Sequence, residues 1–302
     1  MVQATDLSYH VAAVPTGKEG QYRRIDVRPL TGAMGAEVHG VDLSRPLDAD
    51  TVAEIKRAFL DYLAIFFRDQ KLTPAAFAAF ARHFGPIDPH HLLRGMAEQP
   101  EVLEIVREQN DPHVFAEGWH ADVTWQERPA LGTMLYGVEI PDFGGDTLFA
   151  NQYLAYDSLS PGMKRMLESV KAVHAAAMAY GSQELAERTS KPEKLMMDRK
   201  KAAQGKSAHP VVRTHPETKR KALFVNQGWT SHLEDMSAAE CQPVLQFLYN
   251  HSIRPEFTCR FRWAPGSLAF WDNRCTLHTP IDDYFGKRRH LWRVTVAGDR
   301  PY

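Results

Sequence analysis

The chain has 302 residues, 44% hydrophobic and 24% charged, the balance of a folded globular protein with a sizeable core rather than of a disordered chain. Lys and Arg number 36 against 37 Asp and Glu, a net charge of -1, so no basic excess marks the protein for nucleic acid or an anionic membrane. No stretch approaches the roughly 18 apolar residues of a membrane span, and the N-terminus lacks a basic segment followed by an apolar one.

Residues 1–21 are mixed in character and read as an N-terminal arm, with 22–302 as a single domain. Ile25 and Val27 alternate with Arg24, Asp26 and Arg28, a short strand that Pro29 ends or marks as an edge. A second strand is predicted over 37–41. Asp50 or Thr51 is placed to cap a helix whose apolar face is Val52, Ile55, Phe59 and Leu63. Ala64 to Phe67 reads as a buried strand. Thr73-Pro74 opens a helix carrying Phe77, Phe80 and Phe84 as far as Gly85.

Further strands are expected over 102–106, 131–140 and 146–150. Ser160-Pro161 opens a helix with Met163, Met166, Leu167 and Val170 inward, and His174 falls near a helix end. Residues 180–206 are polar with little period and read as an insertion covering one end of the sheet. His209 and His215 flank a strand-like segment and offer no metal geometry. Ser237 with Glu240 forms a capping box for a helix to about Asn250, with a kink expected at Pro243. Phe257, Cys259, Phe261 and Trp263 alternate as a strand, followed by strands over 268–272 and 291–297.

Many short strands with a few flanking helices predict a mainly β fold, a double-stranded β-helix (jelly roll) with a helical or loop insertion. No GxGxxG follows a strand and no GxxxxGK[ST] occurs, which counts against the nucleotide-binding α/β folds. Three cysteines, Cys241, Cys259 and Cys275, form no CxxC and leave one over in any disulfide scheme; this predicts a reducing compartment and a cytoplasmic location.

The chemistry-bearing residues lie in two places. Upstream stands Trp119-His120-Ala121-Asp122; downstream stands Trp271-Asp272-Asn273-Arg274-Cys275-Thr276-Leu277-His278, with Arg289 eleven residues on. Residues two apart in a strand face the same side, so His120 and Asp122 can present an imidazole and a carboxylate to one metal. His278, at the end of a C-terminal strand, is the best candidate for a third ligand. Two imidazoles and one carboxylate make the facial ligand set of a non-haem iron(II) site with open positions, and a trailing arginine suits a dicarboxylate co-substrate.

The chain resembles the taurine dioxygenase and phenoxyacetate-herbicide dioxygenase (TauD/TfdA) family of iron(II)/2-oxoglutarate enzymes. The resemblance is carried by Trp119-His120-x-Asp122-Val123-Thr124, Gly144-Gly145-Asp146-Thr147, Phe224-Val225-Asn226, Trp271-Asp272-Asn273-Arg274-x-x-x-His278 and Lys287-Arg288-Arg289-x-x-x-Arg293. Gly35-Ala36-Glu37, Gly40-Val41-Asp42-Leu43 and Phe84-Gly85-Pro86 add to it, so it covers roughly residues 22–300.

The resemblance implies Fe(II) held by His120, Asp122 and His278, with 2-oxoglutarate and O₂ as co-substrates. It implies that Arg289, helped by Thr147, pairs with the distal carboxylate of 2-oxoglutarate, a match for the planar guanidinium fork. Taken alone, the run Lys287 to His290 reads as surface charge. The resemblance places Arg293 on the anionic group of a small-molecule substrate, with His90 as a further donor or a plain loop histidine. It places Val123 beside the substrate, and Trp229 as an aromatic wall or a core tryptophan. Leu93 and Ala116 stand where the taurine enzyme has polar residues for an ammonium, which argues against taurine and for an anion with an apolar body. The expected reaction is hydroxylation of a sulfonate, alkyl sulfate or aryloxyalkanoate with release of succinate and CO₂, the product collapsing to a carbonyl compound. A homo-oligomer, dimer or tetramer, is the family expectation. The alternatives are a halogenase, disfavoured because Asp122 is present, and a catalytically silent jelly-roll binding protein.

Overall fold

The computed structural model describes residues 22–90, 93–109, 111, 118–180 and 203–302. The arm expected over 1–21 and most of the insertion expected over 180–206 lie outside the described residues. In chain order the elements are β1 (Asp26–Pro29), β2 (Ala36–His39), α1 (Ala49–Tyr62), β3 (Ala64–Phe67), α2 (Pro74–Arg82), β4 (Leu103–Arg107), β5 (Gly132–Glu139), β6 (Thr147–Asn151), α3 (Gln152–Asp157), α4 (Pro161–Leu167), β7 (Lys171–Ala175) and α5 (Ala177–Tyr180). There follow β8 (Lys206–Pro210), β9 (Val212–Thr214), β10 (Lys221–Leu223), β11 (Thr230–Leu233), α6 (Ala238–Ser252), β12 (Thr258–Phe261), β13 (Leu268–Asp272), β14 (Thr276–Pro280) and β15 (Arg289–Val296).

A seven-stranded sheet runs β1-β2-β3-β13-β5-β15-β4, faced by a three-stranded sheet β12-β6-β14. Only the β2–β3 pair in the large sheet is parallel. Two smaller sheets, β11-β7-β8 and β10-β9, complete the jelly roll.

Strand β3 is apolar and buried at every position, and β13 is apolar as far as Asp272, because both faces of the large sheet are covered. Ile65 and Phe67 of β3, with Leu268 and Phe270 of β13, pack under α1 and α2 against Phe59, Phe77 and Phe80. Ala64 and Phe66, with Ala269 and Trp271, turn the other way toward the small sheet. Phe59 stacks on Phe270 at 4.0 Å and Phe66 on Phe261 at 4.1 Å, one pair for each layer.

The helix starts follow local chemistry. Thr73 accepts from the Ala76 N–H with Pro74 in the first turn, and Ser237 with Glu240 closes the expected capping box. The cap of α1 is Asp48 rather than Asp50 or Thr51, because Thr51 is the residue whose N–H it receives. Thr51 and Tyr62 are buried there while Val52 is only half-buried, and Leu63 leaves the helix in a left-handed conformation. Helix α2 stops at Arg82, short of Gly85.

Other expectations are corrected. Met166 is exposed and Leu167 carries the inward face of α4, which ends after two turns. The strand expected from Phe257 begins one residue later because a 3-10 turn, Pro255–Phe257, precedes it. His174 sits within β7, not near a helix end, and the segment after His209 splits at Val211 into β8 and β9. Helix α3, capped by Asn151, went unanticipated. No helix among the described residues is long and apolar enough to cross a membrane.

Candidate active site

His278 is the middle residue of β14, not its end as expected, and β14 is an edge of the small sheet. Its free edge pairs with His120 as an isolated bridge: the His120 N–H donates to the His278 carbonyl at 3.0 Å, and the reverse bond is 2.8 Å. This pairing brings the imidazole rings to 4.2 Å between centroids. Asp122 does not lie on a regular strand with His120. The chain turns immediately after the bridge, and Val123 is left-handed with φ 46°. A β-branched residue in that region is strained by about 1–3 kcal/mol and persists only where its surroundings over-determine it.

The three side chains are buried, and their ligand-type atoms lie within 4.8 Å of one another. His120 Nε2 is 3.8 Å from Asp122 Oδ1, and His278 Nε2 is 3.9 Å from Asp122 Oδ2. His120 Nδ1 lies 2.8 Å from the Gly118 carbonyl, which accepts only from a protonated Nδ1 and so turns the lone pair of Nε2 toward the cluster. Burial lowers the pKa of both imidazoles, so they are neutral and competent as ligands. Burial alone would raise the Asp122 carboxyl, but the Arg293 guanidinium beside it, with the Thr133 hydroxyl, holds it well below the usual carboxylate range. Gly228 leaves room for this packing, since a Cβ there would stand 2.9 Å from the Cβ of His120. This donor set fits a two-histidine, one-carboxylate metal ion.

Arg289 and Arg293 both belong to β15 and are both buried, with Leu291 between them on the same side. Arg289 is therefore not a surface charge. Its Nη2 donates to the Gly145 carbonyl at 3.0 Å, while Nε is buried and makes no hydrogen bond among the described residues. Trp263 and Tyr284 flank the guanidinium at 5.5 and 5.7 Å. Gly145, at φ +69°, closes the floor, and a Cβ there would lie 3.2 Å from Arg289 Nε. Burial pulls this guanidinium down from its ordinary range, as for a cation that lacks a full anionic partner. Thr147 Oγ1 accepts from Trp263 Nε1 at 3.0 Å, which leaves its own proton to donate. The pocket fits a carboxylate. Arg293 Nη2 meets Asp122 Oδ1 at 2.8 Å, beside the histidine pair.

Of the remaining expected positions, Val123 and Trp229 are buried, and the Trp229 ring lies 6.5 Å from that of Trp125. His90 is half-buried, and its Nδ1 accepts the Leu93 N–H at 3.0 Å, so one nitrogen of that ring is engaged with its own loop. Leu93 is half-buried. Ala116 lies outside the described residues.

Several supporting residues have no role on sequence grounds, and Thr133 and His174 lie outside every quoted motif. Thr133 Oγ1 donates to Asp122 Oδ2 at 2.6 Å, and Asn273 bridges the two. Asn273 stands in the motif from Trp271 to His278, and Thr124 and Asn226 stand in two others, so their sequence signal is motif membership. Behind the turn, Asn226 donates to Thr124 Oγ1 at 3.3 Å and Thr124 lies 2.8 Å from His174 Nδ1, so a fully buried histidine of β7 braces the Asp122 turn. A second buried group, His215, Asp272 and Cys275, also has ligand-type atoms within 4.8 Å of one another.

A model of the taurine catabolism dioxygenase TauD, TfdA family matches residues 26–295. The chain is 35% identical over 280 residues to an alpha-ketoglutarate-dependent sulfate ester dioxygenase of Pseudomonas putida, covering 92% of this chain and 91% of that one. It is 33% identical over 280 residues to an alkylsulfatase of Acinetobacter baylyi, with 92% and 86% covered. The crystal structure of a taurine dioxygenase from Burkholderia xenovorans superposes with a TM-score of 0.77 at 35% identity, covering 92% of this chain and 93% of the other. With the donor set and the buried arginines in place, these likenesses identify the chain as a member of the TauD/TfdA family, an iron(II)- and 2-oxoglutarate-dependent dioxygenase.

Proposed function

We propose that the enzyme hydroxylates a small organic anion with an apolar body, a sulfate ester, sulfonate or aryloxyalkanoate. The observation that carries this reading is the position of Arg293, buried and 2.8 Å from Asp122. An anion paired with that guanidinium has its neighbouring carbon held beside the histidine pair. The sulfate-ester relatives favour sulfate esters within this class.

In this reading His120, Asp122 and His278 hold the iron, and Arg289 with the Thr147 hydroxyl takes the distal carboxylate of 2-oxoglutarate. When bound, iron with 2-oxoglutarate and O₂ supplies the oxidising chemistry that yields succinate, CO₂ and a hydroxylated substrate carbon. The chain's own residues orient both anions and exclude water. Where the hydroxylated carbon bears a sulfate or aryl ether oxygen, the carbon–oxygen bond then breaks to a carbonyl compound and the free sulfate or phenol. A sulfonate carbon releases sulfite in the same way. Val123, Leu93 and Trp229 surround the body of the substrate, where burial contributes roughly 25 cal/mol per Å². Asp122 occupies the position a halogenase must clear for chloride, so no observation favours that alternative.

We further propose one catalytic domain over 22–302, a cytoplasmic location and a homo-oligomer. The three free, buried thiols support a reducing compartment, and sedimentation would test the assembly.

The deciding experiment is succinate release with Fe(II) and ascorbate across alkyl sulfates, alkyl sulfonates, aryloxyalkanoates and taurine. Alkyl sulfates should rank above taurine, whose ammonium finds no partner among apolar side chains. Taurine ranking first would overturn the substrate reading. Arg293→Ala should lower turnover while leaving 2-oxoglutarate binding nearly intact; equal loss of both would make Arg293 structural.

A further inference from the structure

Asp122 is held on one oxygen by a directional chain of hydrogen bonds that begins in the large sheet. The Oδ1 atom of Asn273 faces two groups that can only donate, the indole N–H of Trp271 and the backbone N–H of Asp122, each at 3.1 Å. These fix the amide orientation without ambiguity. The Asn273 NH₂ therefore points the other way, to Thr133 Oγ1 at 3.0 Å and, more weakly, to Asp122 Oδ2 at 3.4 Å. Thr133 Oγ1 accepts that bond and gives its single proton to Asp122 Oδ2 at 2.6 Å. Thr133, Asn273 and Trp271 are essentially inaccessible to solvent, so water does not compete for any of these bonds.

The anchor is rigid. Thr133 lies on β5 directly opposite Trp271 of β13 in the ladder, and the Asn273 N–H donates to the Leu131 carbonyl at 2.9 Å. The two carboxylate oxygens consequently stand in different surroundings. Oδ2 lies 3.9 Å from His278 Nε2, but its lone pairs are taken by the hydroxyl and the amide. Oδ1 faces His120 Nε2 at 3.8 Å and Arg293 Nη2 at 2.8 Å, and its second lone pair remains for a metal.

We propose that Thr133 is a positioning residue whose hydroxyl holds Oδ2 of Asp122, so that the carboxylate meets the iron through Oδ1 alone rather than as a chelate. A chelating carboxylate would take a coordination position that the co-substrates need. This inference rests on the reading of Asp122 as an iron ligand.

The test compares Thr133→Val, Thr133→Ala and Thr133→Ser with wild type and Asp122→Ala, using Co(II) alone as the probe. Affinity is read by calorimetry and coordination by the visible absorption of bound Co(II). The Val and Ala variants should bind Co(II) roughly 10–100-fold more weakly, with an altered spectrum. The Ser variant, which keeps the hydroxyl, should retain both the affinity and the spectrum. Unchanged affinity and spectrum in the Val and Ala variants would overturn the proposal, as would an equal loss in the Ser variant, since the hydroxyl would then not be the agent. Should the Val variant not fold, the Ala and Ser pair carries the same comparison. Full Co(II) binding by Asp122→Ala would instead refute the ligand reading beneath it.

Discussion

Two buried clusters of similar composition lie on either side of the turn that joins β13 to β14, and they differ in how many of their ligand atoms are already taken by hydrogen bonds. Asp272 and Asn273 are neighbours in the chain, yet Asp272 faces His215 while Asn273 faces Asp122. In the first cluster His215 Nδ1 accepts the backbone N–H groups of Glu217 and Thr218, which leaves Nε2 to donate to Asp272 at 3.0 Å. The Arg274 fork takes both oxygens of Asp272 at 2.8 and 2.7 Å, and the Arg274 backbone N–H adds a third bond. Burial opposes ionisation of both partners, but each holds the other charged: Asp272 sits well below the usual carboxylate range and Arg274 above its own. Burial also pushes the Cys275 thiol far up, so no thiolate is on offer. In the second cluster the imidazoles keep unshared lone pairs and one oxygen of Asp122 is only partly engaged. Residue type therefore does not make a metal site; the account of hydrogen-bond partners does.

The largest expected effect follows directly. Asp122→Ala should abolish turnover and sharply weaken Fe(II) binding, whereas Asp272→Ala should leave one metal equivalent per chain. A variant at Asp272 that lost its metal, measured by elemental analysis, would erase the distinction between the clusters. The same substitution strips His215 and Arg274 of their shared acceptor, so it should cost about 3–5 kcal/mol in denaturant unfolding, as removal of one partner from a buried ion pair does.

A smaller effect is expected at the pocket of Arg289. Arg289→Ala should raise the 2-oxoglutarate requirement by roughly tenfold or more, and Arg289→Lys should restore it only in part, because a point charge lacks the fork. An unchanged Michaelis constant for 2-oxoglutarate in the Ala variant would mean that another group holds that carboxylate.

The smallest effect concerns His174, a histidine buried with no carboxylate bonded to it among the described residues. Burial, with His209 beside it, pushes its pKa down to about 3 from 6.5. The unfolded chain then binds a proton that the folded one refuses as pH falls below about 6.5, so stability is complete above that pH and declines toward pH 3. Wild type should lose up to ~1.4 kcal/mol per pH unit more than His174→Gln between pH 6.5 and 5. Equal slopes in equilibrium unfolding would show that His174 takes up its proton in the folded state.

The identity and order of His120, Asp122, His278, Arg289 and Arg293 are properties of residue type and spacing, and they were legible before any fold was known. So were the capping box at Ser237 and the Thr73-Pro74 helix start, because a cap is satisfied within a few residues of itself. The doubly covered strand Ala64 to Phe67 was legible too, since covering both faces removes the alternation. What the sequence could not announce is long-range. Thr133 is one threonine in a strand until β5 lies beside β13 and sets it 2.6 Å from Asp122. Arg289 sits in a basic run that resembles surface, and only the strand register and the walls of Trp263 and Tyr284 bury it. Asp122 reaches His120 through a turn rather than a strand, with Val123 held in a conformation its own side chain disfavours. Local free energy is encoded over a few neighbouring residues, whereas which polar atoms stay free for a ligand is settled only when distant segments take up every other donor and acceptor.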